Sequence, residues 1–193
     1  MPPRQLPNKN ELAALGLINW TSMHGYLLNQ MIQRLGLDQW ANVSQSSIYY
    51  SLGKLTERGA ATKTTEREGK APERTIFHIT IVGRQILRTQ LRQALRHIGS
   101  DDLTFYLAMS FIDALPLAET VELLTARIAR LEEIINNEER AACKAAMAPH
   151  FALSCQAGAK HMTVEREYCQ QVVDLLTDQP DYFEKLGGMI DDI

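Results

Sequence analysis

The hydrophobic period changes twice between Lys9 and Ile98, and this limits the possible folds more than any other feature of the sequence. Leu12, Leu15 and Ile18 recur at helical spacing, which predicts a helix over residues 9–19. Thr21 or Ser22 can cap a second helix, with Leu28, Met31, Ile32 and Leu35 as its apolar stripe and Gly36 as its stop. Ser44 or a neighbouring serine starts a third, in which Ile48, Leu52 and Leu55 face inward and Gly59 ends the run. Gly53 inside that helix costs roughly 1 kcal/mol against alanine.

Alternation then replaces the helical period. Residues 60–67 are Thr-rich and β-branched, Gly69-Lys70-Ala71-Pro72 reads as a turn, and Thr75, Phe77 and Ile79 alternate as in a strand. Thr80 caps a fourth helix carrying Ile86, Leu87, Leu91, Leu95 and Ile98 on one face. Three short helices, a hairpin and a further helix predict a winged helix-turn-helix over residues 1–99. Its third helix would enter the DNA major groove, and its hairpin would lie against the backbone or minor groove.

Charge supports that reading. The net charge of −3 hides a basic half, residues 1–100 at +7, and an acidic half, residues 101–193 at −10. Such asymmetry suggests that only the first half meets a polyanion. Lys63, Arg67, Lys70 and Arg74 lie on the hairpin strands and tip. Gln45, Ser46 and Ser47 can donate to phosphates or read base edges from the start of the third helix, and Lys54 can contact the backbone two turns later. Tyr49 and Tyr50 are adjacent, so at least one should face outward. His24 suits either a phosphate contact or a structural hydrogen bond.

Several segments in fixed order resemble the PadR family of transcriptional regulators. They are Met23-His24-Gly25-Tyr26, then Ser47-Ile48-Tyr49 with Leu52, Leu55 and Gly59, then Arg74, Ile79-Thr80 and Gly83-Arg84. The resemblance runs from about Glu11 to Ile98. It implies a DNA-facing role for Tyr49, with a phosphate contact and simple packing as the two readings. The chain departs from the family's habit at Tyr50, Gly53 and Glu73.

The second half reads as helical. Asp101 and Asp102 follow a break at Gly99-Ser100, and the stretch to Ile112 is apolar on most sides. Leu117, Val121, Leu124, Ile128, Leu131 and Ile135 then form a heptad seam, and a further helix is expected over residues 160–177. The seam can close on a neighbouring helix of the same chain or on a second protomer. A single winged helix offers few contacts for specific recognition, and a two-fold dimer matches a pseudo-palindromic operator. The resemblance also implies pairing through C-terminal helices, and regulation by phenolic or similar hydrophobic molecules. The expected class is therefore mainly α: an N-terminal winged helix-turn-helix with a small β-hairpin wing, and residues 100–193 as a helical dimerisation region. Phe105, Tyr106 and Met109 are either the lining of an effector pocket at the domain junction or ordinary packing.

Enzymatic signals are absent from the sequence. It has no GxGxxG, Walker A, GxSxG or HExxH motif, and Cys143, Cys155 and Cys169 lack CxxC spacing. No catalytic residue, metal site or cofactor is expected. Nor does the sequence read as having a signal peptide or membrane span, so a cytoplasmic, reduced setting is expected. The expected function is a homodimeric regulator of double-stranded DNA, a repressor released by a small aromatic effector. The alternative is a helical adaptor that uses its winged helix for protein contacts.

Overall fold

The computed structural model describes residues 7–67, 73–99, 102–144 and 149–191. Nine helices and three strands occur among them: α1 (Lys9–Trp20), β1 (Met23–His24), α2 (Gly25–Arg34), α3 (Leu37–Trp40), α4 (Gln45–Glu57), β2 (Ala61–Glu66), β3 (Arg74–Ile79), α5 (Ile81–Arg96), α6 (Asp102–Met109), α7 (Leu117–Lys144), α8 (Pro149–Asp178) and α9 (Tyr182–Asp191). They divide into two compact units, Met1–Leu115 with Phe183–Ile193, and Pro116–Tyr182. No helix among the described residues is long and apolar enough to cross a membrane.

The first unit is built around α1. The Asn8 side chain accepts from the Asn10 and Glu11 amides at 3.0 and 3.3 Å, starting the helix. Leu12 to Ile18 are then buried without interruption, so α1 is enclosed rather than laid on a surface. Truncating a core leucine such as Leu15 to alanine should cost about 2–5 kcal/mol. Gly16 admits the Phe111 ring, which would stand 2.4 Å from a Cβ at that position.

Local signals fix most boundaries. The Ser44 hydroxyl accepts from the Ser47 amide at 3.2 Å, and Gly59 at φ 71° closes the turn after α4. The Thr80 hydroxyl accepts from Gly83 N–H at 3.1 Å and donates towards the Gly59 and Ala60 carbonyls. Two expectations need correction. His24, rather than Thr21 or Ser22, caps α2, because Met23 and His24 are drawn into β1 opposite Phe77 and Ile76. Gly36, at φ 62°, stops α2 as expected, but the short helix α3 follows it, so four helices rather than three precede the hairpin.

The sheet is antiparallel in the order β1-β3-β2. Along the hairpin, Lys63 stands opposite Phe77 and Glu66 opposite Arg74. Beyond Ala61 every residue of β2 is exposed, so the strand pair projects into solvent as a wing. The expected turn at residues 69–72, with Lys70, lies outside the described residues.

In the second unit α7 and α8 pack as an antiparallel hairpin. The helix expected over residues 160–177 begins earlier, since α8 starts at Pro149, and a further helix, α9, follows it. The heptad seam is divided. Leu124 and Leu131 are fully buried within the chain, while Leu117, Val121, Ile128 and Ile135 remain half-buried. Among the described residues, Thr120, Leu123 and Arg127 occupy other buried positions of α7, and Ala159, Glu165, Cys169 and Leu176 those of α8.

Candidate nucleic-acid interface

Helix α4 buries Ile48, Ser51, Leu52 and Leu55. At 100° per residue, the opposite side carries Ser46, Tyr50, Gly53 and Glu57, all exposed. Tyr50 is 66% exposed, and the Lys54 ammonium lies 4.5 Å above its ring in a cation–π contact. The Tyr50 hydroxyl is the main cause that raises the Lys54 pKa above its ordinary value, so the ammonium keeps its charge.

The first turn of α4 is a cluster of hydroxyls. Ser44 Oγ lies 3.0 Å from Ser46 Oγ and 2.9 Å from Ser47 Oγ, and Gln45 Nε2 reaches toward the Gly25 carbonyl at 3.4 Å. Ser46 and Gln45 are exposed, whereas Ser47 is half-buried. Amides at this helix end carry partial positive charge, which favours an anionic group in front of them.

Tyr49 points a different way from Tyr50. Its ring meets Phe77 edge-on at 5.9 Å, and its hydroxyl presses against Gly25, 1.6 Å from where a Cβ would be. Burial raises the phenol's pKa, so it stays protonated and can donate. Tyr49 thus ties α4 to both the start of α2 and the root of the wing. Beside it opens a cleft of about 630 Å³ lined by His24, Gly25, Tyr26, Tyr49, Glu73, Arg74 and Thr75.

His24 serves as a cap: its Nδ1 accepts from the Leu27 amide at 3.3 Å. Using Nδ1 as acceptor puts the neutral ring's proton on Nε2, so a donor remains beside the cleft. Lys63, Arg67 and Arg74 are exposed on or next to the wing strands. The exposed Tyr26, 75% accessible and part of the cleft lining, carries the resemblance in sequence but was not among the expected DNA contacts. The signal was a large aromatic at the start of α2, off its buried Leu28-Met31-Ile32 stripe. Phe105 and Met109 of α6 are buried and Tyr106 is half-buried, with the Phe105 and Tyr106 rings 5.2 Å apart.

Residues 14–89 match the transcriptional regulator PadR-like family. This part of the chain is similar to that family. The PadR-like segment runs from within α1 to within α5 and therefore contains α4, both wing strands and the cleft. PadR-like proteins are transcriptional regulators rather than enzymes. Among solved structures, Bacillus subtilis PadR in complex with operator DNA aligns at 21% identity and TM-score 0.39, covering 86% of this chain and 98% of that one. B. subtilis PadR in complex with p-coumaric acid aligns at 23% identity and TM-score 0.38, covering 95% and 99%. A PadR-like regulator from Bacillus cereus aligns at 18% identity and TM-score 0.40, covering 91% and 99%. No match to a curated protein was found.

Proposed function

We propose that the chain is a homodimeric DNA-binding transcriptional repressor, released from its operator by a small aromatic or hydrophobic effector. The observation that carries the DNA part is the exposed polar side of α4, in one unit with the exposed cations Lys54, Lys63, Arg67 and Arg74. Gln45, Ser46 and Ser47 meet the groove from a helix N-terminus, Tyr50 lies along the same side, and the wing cations neutralise phosphates. Tyr49 and His24 offer donors to the backbone at the neighbouring cleft.

The dimer part of the reading is supported by the half-buried strip Leu117, Val121, Ile128 and Ile135, apolar side chains that the α7–α8 hairpin leaves partly uncovered. Two protomers related by a two-fold axis read a pseudo-palindromic site. The effector part rests on the family resemblance and the aromatic content of α6, Phe105 with Tyr106 and Met109. An effector releases DNA only by binding the DNA-incompetent arrangement more tightly, and a hundredfold preference supplies about 2.7 kcal/mol.

The test is binding to duplex DNA from upstream of its own gene over a salt series. If the dimer neutralises about 6–10 phosphates, affinity falls by about three to five orders of magnitude from 50 to 200 mM salt. Lys63→Glu with Arg74→Glu weakens specific and nonspecific binding alike and flattens the salt slope. Unchanged affinity and slope in that variant would remove the wing from the interface.

A further inference from the structure

Gly53 has no intramolecular explanation. It lies in the interior of α4 at an exposed position with ordinary helical backbone, and a Cβ built there meets nothing within 4 Å. Neither crowding nor a left-handed backbone therefore calls for glycine, and alanine would strengthen the helix. The other glycines near the site behave differently: Gly25 is held by Tyr49, and Gly59 by its positive φ. Gly158 and Gly187 are open in the same way inside α8 and α9, but only Gly53 lies on the outward polar stripe of α4, where a missing side chain admits close approach by something outside the chain.

Its neighbours narrow what that partner is. Gly53 lies between Tyr50 and Glu57 on the outward stripe that begins at Ser46. Lys54 holds the Tyr50 ring to one side, leaving bare helix backbone one turn further along. Glu57 sets a limit, because its carboxylate would be repelled by phosphates lying against the last turn. Contact is thereby confined to the stretch from Ser46 to Gly53, the N-terminal part of the helix that a groove admits.

We infer that Gly53 sets the depth at which α4 seats in the major groove, with base pairs packed against the helix backbone at this position and Ser46 and Tyr50 in reach of their edges. This rests on α4 being the recognition helix. Groove reading depends on hydrogen bonds made over a few tenths of an ångström, so one methyl group at 53 lifts the helix enough to weaken them.

The experiment uses the full-length protein and a duplex that the wild type selects from a random pool, with a scrambled duplex of equal length as control. Gly53→Ala should raise the Tm by about 2–4 °C while weakening the selected duplex at least tenfold. Gly53→Gln, also a good helix former, should weaken it further, and binding to the scrambled duplex should change little. Wild-type affinity in both variants overturns the inference and leaves the recognition-helix reading standing. A lowered Tm accompanied by weaker binding also overturns it, since the glycine would then serve the fold. A wild-type protein that selects no sequence at all removes both readings together.

Discussion

Arg127 and Glu165 meet inside the α7–α8 hairpin, where Nε and Nη2 stand 2.8 and 2.7 Å from the same carboxylate oxygen. Only 1% and 3% of the two side chains is exposed. Each charge has given up its water, so each depends on the other. Arg127→Met or Glu165→Gln should cost about 3–5 kcal/mol, whereas the double variant Arg127→Met/Glu165→Leu should recover most of the loss. Urea unfolding of the three variants checks this, and a cheap single variant would show the pair to be dispensable.

One turn from Glu165, Cys169 is fully buried, and burial pushes its thiol up to about 11. At pH 8 only about one molecule in a thousand carries the thiolate, the form that reacts. Iodoacetamide should therefore label the half-buried Cys155 at least about a hundredfold faster than Cys169 in folded protein, with the difference lost in denaturant. Mass spectrometry of the labelled peptides reads both sites. Equal rates would mean that the hairpin opens readily at this level.

Gly25→Ala should disturb the seat of Tyr49, since the new methyl would stand 1.6 Å from the hydroxyl oxygen and 2.8 Å from Cζ. A cost of about 1–3 kcal/mol is expected from such overpacking. Adding Tyr49→Phe deletes the nearer of the two clashes and should restore part of the stability, a coupling that a double-mutant cycle measures. Additive effects would show that the two residues do not bear on each other.

Asp113 accepts a hydrogen bond from Trp20 Nε1 at 2.9 Å, yet its pKa is raised above the usual 3.8, because burial outweighs the bond. The folded chain thus keeps this proton at a pH where the unfolded chain has lost it. The contribution to stability is present at low pH and declines as pH rises from about 4 through the folded value. Asp113→Asn retains an acceptor for the indole without a charge to desolvate. It should be at least as stable as wild type at pH 7, with a flatter stability profile as pH rises above about 4. Thermal melts across that range decide it, and a steeper profile would assign the slope to other groups.

Substitutions along α7 should separate folding from assembly. Ile128→Glu, on the half-buried strip, should abolish dimers in sedimentation while circular dichroism keeps its helical signal. Leu124→Asp places a carboxylate where the chain is fully buried and should unfold the hairpin instead. Dimers that survive Ile128→Glu would put the interface elsewhere.

The reach of the sequence follows the range of the forces involved. The caps at Ser44 and Thr80 and the stop at Gly59 were legible because a cap is a contact across three residues. The two wing strands were legible from alternation. Strand β1 was not: two residues carry no period, and their partner lies more than fifty positions away. The heptad named the apolar positions of α7 without naming their partner, and nothing marked Arg127 as buried until Glu165 stood opposite it. In the candidate interface, the exposed side of α4 could be read from its polar positions. The different directions of Tyr49 and Tyr50 could be foreseen only as a pair, and the contact with Gly25 needed the fold.

Gly83 has a Cβ position 2.1 Å from the Ala60 carbonyl oxygen, so the first turn of α5 rests directly on the residues that follow α4. Thr80 fastens the same junction from its other side. A genetic selection for cells that have lost regulation would therefore recover substitutions at position 83 as readily as changes in the wing. Scored by phenotype alone, residue 83 would be mapped onto the DNA surface, although its own hydrogen faces only protein. Telling the two groups apart takes a melting curve beside each binding curve, since a displaced α5 loses heat resistance and a lost phosphate contact does not.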